Sequence, residues 1–450
     1  MTVAETLAAF LIKTGYDDLP EQAVDHAAMI VASTFASAAC GTNIESAAII
    51  RDLTQDRGGR PDASIWFDGG PKLPIVSAAR VNAMMSDAAA SDDSDLRNIV
   101  HAGTPLTATA LAVAERTGAS GREILAAIVL GYEAAGRIGE AIMPHFNYRG
   151  HHGCMGAAFG AATAAARLLG LDATQTAHTI ALTATSVGGL TIAANTSVAR
   201  EYHAGTVTLL GLEAALAAQR GYTAELSILE AKRGFCDLYA GTDGSNITEG
   251  LGDSWDIVTD MAIKLVPGGH PYHALAEAAA NAAREGDIDA ADITAITASR
   301  PGMTTLTGPL HPKDLIDMAH SPAYFLAAGA ADKQFGWANA TQEKIDDPII
   351  HALIDKVAVG PEPTENADAY RQGATVTIDT SDGRSVTNTV LIPTGAGCLG
   401  IDWADIDAKY RALAPSAPMT DGQVDASLKA IHAFRDLAHI ATLIDLLHQS

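Results

Sequence analysis

Apolar residues recur at helical spacing through most of the first 265 positions, and this period sets the expected architecture. The segment "PEQAVDHAAMIVASTFASAACG" (20–41) is a long apolar-periodic run that stops at Gly41. "SAARVNAMMSDAAAS" (77–91) is a second. "TPLTATALAVAERTG" (104–118) opens on Thr104 and Pro105, a capping residue before a proline at the first helical position, and closes at Gly118. In "SGREILAAIVLGYEAAGRIGEAI" (120–142), Ser120 and Glu123 have the spacing of a capping box. "GAAFGAATAAARLLGLD", "DATQTAHTIALTATSVGG" and "AGTVTLLGLEAALAAQRGYT" complete the helical set, with little to suggest a sheet.

The period changes after Lys264-Leu-Val-Pro267. "ITAITASR" (293–300) alternates as a strand does, and "PIIHALIDKVAVGPEPT" (348–364) reads as a helix and then a strand. "GATVTIDTSDGRSVTNTVLI" (373–392) is a hairpin, with Val376 and Ile378 alternating before the turn Ser381-Asp-Gly-Arg384 and Val386 and Val390 after it. The end, "VDASLKAIHAFRDLAHIATLIDLL" (424–447), returns to an amphipathic helical period. The expected fold is mainly α: a large all-helical domain (1–267), an inserted smaller α+β lid domain (268–393), and a C-terminal segment (394–450) that rejoins the helices. A cleft between such parts is a preferred place for a ligand.

Composition narrows the setting. Charged residues make up 18% of 450, aromatics only 5%, and the net charge is −24 with no basic stripe. Nucleic acid and anionic membrane are therefore poor partners, while a small anion held by a few buried basic groups is not excluded. Cys40, Cys154, Cys236 and Cys398 form no CxxC pair and no regular spacing, which argues against a disulfide framework or a zinc site and fits a reducing compartment. "MTVAETLAAFLIKTGYDDLP" lacks the basic start of a secretory signal, and no run of about 18 purely apolar residues occurs. The expectation is a soluble cytoplasmic protein.

Four loops carry the candidate chemistry. In "SDDSDLRNIVHAGTP" (91–105), Asp92, Asp93 and Asp95 lack the glycine and distal glutamate of a calcium loop, and His101 stands just before a helix. In "NYRGHHGCMGAAFGAAT" (147–163), Arg149, His151 and His152 precede a Gly/Ala helix whose first turn offers bare N–H groups to an anion and keeps a nearby imidazole neutral. "SVAREYHAGTVTLLG" (197–211) repeats the arrangement with Arg200 and His203. "AIKLVPGGHPYHALAEAA" (262–279) places Lys264 at the domain border, then His270 and His273, an i, i+3 pair with no acidic partner at helical spacing. No dinucleotide, P-loop, hydrolase-elbow or zincin motif is present. Basic groups from several loops suit proton transfer beside a carboxylate: Arg binds the carboxylate, a neutral His or Lys moves the proton, and positive charge stabilises the enediolate. That chemistry requires no metal and no cofactor.

The order of these pieces resembles the MmgE/PrpD family. "AARVNAMMSDAAASDDS" stands where the family has an alanine-rich helix leading to an acidic loop. "HAGTPLTATALAVAERTGASGREILAAIVLGYEAAGRIG", "GAAFGAATAAARLLGLDATQTAHTIALTAT" and "HAGTVTLLGLEAALAAQRGYT" are similar to its helices. "IKLVPGGHPYHA" occupies the place of its Lys-x-x-Pro segment, and the "TIDTSDGRSVTN" hairpin matches its second domain. The resemblance implies a homodimer and a cofactor-independent lyase or isomerase that abstracts a proton α to a carboxylate of a small acid. A 2-methylcitrate-dehydratase-like hydro-lyase or an epimerase comes first, with a cis-aconitate-type decarboxylase as the alternative. A catalytically inactive binding or structural homologue is the reading from another class.

The resemblance also assigns residues. His101, His151 and Lys264 match the family's catalytic positions, with His151 and Lys264 handling protons and His101 assisting. Arg200, Arg149, Asp93, Ser94, Tyr148, His203 and His273 fall to substrate binding, Arg200 where several members have Lys. Aligned on Asn82, the family's loop histidine becomes Asp87 and its first aspartate becomes Ala90. "Pro-Gly-Gly-His270-Pro" replaces the usual Cys-Cys-Arg type of segment, so part of the recognition loop is rewritten.

Overall fold

The computed structural model describes residues 1–142 and 150–447. The chain forms two compact units. The larger holds residues 1–194, 198–263 and 400–450, the smaller residues 195–197 and 264–399.

The larger unit is built around helix Glu21–Gly41. This helix is long and apolar enough to cross a membrane by length and composition, yet 89% of that window is buried inside the protein. Ile30, Val31 and Phe35 are wholly enclosed, and Phe35 meets Trp66 edge-on at 4.7 Å. Each such side chain withdrawn from water contributes about 1.5–3 kcal/mol, so the segment is the core of the unit. Helix Gly121–Ala141 starts on the expected capping box, Ser120 and Glu123 each satisfying the other's backbone N–H. Gly118 takes the left-handed conformation that ends the preceding helix. That helix begins two residues earlier than its sequence suggests. It spans Gly103–Thr117 with Ala102 at the cap position, and Thr104 lies inside it.

Small residues let the helices approach backbone to backbone. Helices Gly121–Ala141 and Cys154–Leu168 meet at Gly131 and Gly160, where a β-carbon on either would lie 2.9 Å from the carbonyl oxygen of the other. Helix Ala199–Gln219 packs on the same Cys154–Leu168 helix through Gly211. A β-carbon there would sit 2.6 Å from the carbonyl oxygen of Ala158. The Gly/Ala run is thus a packing device.

The expectation of an all-helical first domain carrying a lid is corrected. Helix predominates at 59% against 8% strand, but the larger unit contains a two-stranded antiparallel sheet of β1 (Asp93–Asp95) and β2 (Met261–Ile263), in register Asp93 to Ile263 and Asp95 to Met261. Two acidic residues in a three-residue strand give no local strand signal, and the pairing is made by a segment far along the chain. The smaller unit stands as a body of its own, and the lid assigned to it is withdrawn. Its sheet has the order β4 (Val357–Val359), β3 (Ile293–Ser299), β5 (Ala374–Thr380), β6 (Ser385–Val390). Strands β3 and β4 run parallel, and the other pairs are antiparallel. Ile296, Val376 and Ile378 on one face pack with Leu275 and Phe325 from helices His273–Glu285 and Pro322–Asp332. The β5–β6 turn is the expected one: Asp382 accepts from Thr380 and Arg384, which holds its carboxyl down at about 2, and Gly383 has φ +86°.

Replacing Gly211 by valine forces the two helices apart against a backbone atom. The gain in helix propensity is under about 1 kcal/mol, while overpacking costs about 1–3 kcal/mol. The expected outcome is a lower urea midpoint with an unchanged m-value, and an unchanged or raised midpoint contradicts the packing argument.

Candidate active site

Strand β1 and the loop after it set the first group of the site. The Asp93 carboxylate is fully buried, and its Oδ2 accepts from the backbone N–H of Gly103 at 3.0 Å and from the hydroxyl of Tyr132 at 3.1 Å. Gly103 must be glycine here, because a β-carbon would stand 2.4 Å from Asp93 Oδ1. Burial first, and then the charge of Asp92, push the Asp93 carboxyl up to about 6. Burial also raises the Tyr132 phenol well above its usual range, so it stays protonated and donates. The next carboxylate, Asp95, accepts from the N–H groups of Arg97 and Asn98 at 2.8 and 3.1 Å, which folds the chain back toward His101.

His101 is tied to this strand through Nδ1. The nitrogen lies 2.7 Å from the carbonyl oxygen of Asp93 and 2.8 Å from Asp92 Oδ2. Both partners are acceptors, so Nδ1 carries a hydrogen and Nε2 is the nitrogen that can gain or lose a proton. The Asp92 carboxylate orients the ring and stabilises the imidazolium that forms when Nε2 takes a proton. The His101 side chain is 18% exposed against 2% for Asp92, so the base reaches the surface while its orienting group does not.

A second group forms where residues 150–154 lie beside 187–191. His152 N–H donates to the carbonyl of Gly189 at 3.0 Å, Thr191 N–H to Gly150 at 2.9 Å, and the Thr191 hydroxyl to the carbonyl of His151 at 2.8 Å. His151 is buried with its ring edge-on to Tyr239 at 5.3 Å. The His152 ring lies 6.3 Å from that of His101 and 5.2 Å from that of His203. Cys154 opens helix Cys154–Leu168, and its N–H donates to His152 Nδ1 at 3.3 Å. Burial, with the nearby Asp87 charge, holds its thiol well above the usual range. Burial lowers His203, against the pull of Asp87, so this ring is neutral at pH 7.

Arg200 precedes His203 on helix Ala199–Gln219 and is held by protein groups. Its Nε lies 3.2 Å from Asp87 Oδ2, and its Nη2 donates to the carbonyls of Asp87 and Ala88. Burial opposes its charge, but Asp87, Asp92 and Glu201 outweigh burial and raise its pKa. Asp87 and Arg200 thus pair within the larger unit.

The structure gathers His101, Asp93, Ser94, His151, Arg200 and His203 in the larger unit, Ser94 as the middle residue of β1 opposite Ala262. Lys264 and His273 belong to the smaller unit. Lys264 is buried. His273 stacks on His270 at 4.6 Å and lines a cleft of about 250 Å³ with Glu277, Asn281, Arg284 and Phe335. Arg149 and Tyr148 lie outside the described residues. Sequence reasoning missed Tyr132, an aromatic inside an apolar helix with nothing local to mark it. It also left Asp92, His152 and Cys154 out of the site, although His-x-Cys at a helix start was a visible signal.

Comparison with known proteins places the chain. The MmgE/PrpD N-terminal domain matches residues 5–248 and the MmgE/PrpD C-terminal domain residues 267–431. The chain belongs to the MmgE/PrpD family. A cis-aconitate decarboxylase of Aspergillus terreus is 25% identical over 462 residues, covering 96% of this chain and 93% of the relative. A cis-aconitate decarboxylase-like protein of Aspergillus oryzae is 25% identical over 407 residues, 82% of each.

Asp93 gives the site a pH signature. Its carboxyl holds a proton more tightly in the folded protein, at about 6, than in the unfolded chain, so the folded state loses stability as pH rises from about 4 to 6. Above that window a cost on the order of 3 kcal/mol is fully present. Asp93→Asn removes the titration, so its stability relative to the natural protein should improve by roughly 2–3 kcal/mol between about pH 4 and 7. Urea melts at a series of pH values measure this, and a pH-independent difference contradicts it.

Proposed function

We propose that this protein is a lyase or isomerase that transfers a proton at the carbon beside a carboxylate of a small di- or tricarboxylic acid. The observation that carries the reading is the His101 ring, fixed by Asp92 and the Asp93 carbonyl so that Nε2 is the basic nitrogen. An imidazole ordered by a carboxylate is a suitable general base, because the carboxylate holds the ring in place and stabilises the charge gained with the proton. His151 and Lys264 are proposed as further proton-handling groups, following the family resemblance. Asp87 occupies Arg200, so Arg200 positions the Asp87–Ala88 turn and adds positive charge to the site.

The bond that changes after proton transfer separates the alternatives. Loss of hydroxide gives dehydration, return of the proton to the other face gives epimerisation, and release of carbon dioxide with protonation of the carbon gives decarboxylation. The activity named for the Aspergillus relatives supports testing cis-aconitate first, with citrate and methylcitrate isomers, malate and tartrate beside it.

Proton NMR in D₂O detects all three outcomes. Deuterium entering the carbon beside a carboxylate, with a new alkene, a new diastereomer or a decarboxylated product, is the expected result. His101→Gln should slow turnover by about 10²–10⁴-fold. Asp92→Asn, which leaves the ring but removes its orienting charge, should slow it by at least about 10-fold. No exchange with any of these acids, or full activity in His101→Gln, overturns the reading.

A further inference from the structure

We propose that His152, Cys154 and His203 form a binding site for a divalent d-block cation of the zinc class. One nitrogen of each imidazole and the Cys154 sulfur all lie within 4.8 Å of one another, the one such group of His, Cys, Asp or Glu among the described residues. Around a tetrahedral ion, with metal–sulfur near 2.3 Å and metal–nitrogen near 2.0–2.1 Å, the ligand atoms stand about 3.5 Å apart. Small side-chain rotations close the remaining gap. The donor set, two imidazoles and a thiolate, is that of a borderline-soft ion and does not suit magnesium or calcium.

Two further observations point to the same place. Nδ1 of His203 is a buried nitrogen with no hydrogen-bond partner among the described residues. Gly189 borders all three side chains: a β-carbon there would lie 3.0 Å from Cys154 Sγ, 3.6 Å from His152 Cβ and 3.7 Å from His203 Cε1. The space at the cluster is kept by the absence of a side chain.

Loading the ion displaces the thiol proton to solvent, and sulfur donates its electron pair to the metal. No oxidant or reductant is involved. Three protein ligands leave a fourth position for water or for a carboxylate oxygen, the pattern of an open zinc site. The site stands beside His101 through the His152 ring. It is independent of the proton-transfer reading, which rests on the contacts of His101 Nδ1 with Asp92 and the Asp93 carbonyl.

The test is titration of the untagged, chelator-treated full-length protein with Co²⁺, followed by displacement with Zn²⁺. One ion per chain should bind, with a thiolate-to-cobalt charge-transfer band and the strong visible absorption of a tetrahedral site. Cys154→Ser and His203→Gln should each lose stoichiometric binding and the band, while Cys236→Ser, altering a buried thiol elsewhere, should keep both. Absence of the band in the natural protein overturns the proposal, as does an unchanged spectrum in folded Cys154→Ser. Should the variants fail to fold, X-ray absorption on the zinc-loaded natural protein decides. One sulfur and two nitrogen neighbours are expected, and a shell without sulfur overturns it.

Discussion

A single buried carboxylate fastens the site to the fold. Asp93 sits on a short strand held by β2, and its Oδ2 collects the first N–H of the following helix and the hydroxyl of Tyr132 from the helix after that. Its own backbone carbonyl then fixes the ring of His101. One residue therefore joins a strand, two helices and the basic imidazole. Burying a carboxylate is unfavourable in itself, and its rise to about 6 measures that. Two donors offset part of the cost, and Gly103 permits the approach. Loss of either donor leaves the buried charge with less compensation, so the arrangement tolerates few alternatives.

The small-residue helices serve the same end. Close approach at Gly211 holds helices Cys154–Leu168 and Ala199–Gln219 together, with the rings of His152 and His203 near their starts 5.2 Å apart. The first carries His152 and Cys154 at its entrance, and the second carries Arg200 and His203 in its first turns. Larger side chains at these contacts would spread the helices and part the histidines. The bland composition of the helices and the dense chemistry of their loops are two sides of one requirement.

Much of the fold was legible in the sequence, because helical period, caps and the Asp382–Gly383 turn are local signals. Strand β1 was not, since its partner is distant and its residues are acidic. The site divides in the same way. His101, His151 and His203 stood out as polar groups at helix entrances. Tyr132 did not, because only tertiary packing brings it to Asp93. Asp87 and Arg200 each drew notice in the sequence, but their contact emerges only when the helices are placed. Asp92 read as one of a row of acids, and its task became apparent through its distance to His101.

The measurement that bears most directly on the account is the tautomer of His101, read by nitrogen-15 NMR on imidazole-labelled protein with His101→Gln to assign the signals. The expected result is a ring whose Nδ1 keeps its hydrogen while Nε2 gains and loses the proton. A ring with its hydrogen on Nε2, or one whose shifts are unchanged in Asp92→Asn, would contradict the role given to the Asp92–His101 pair.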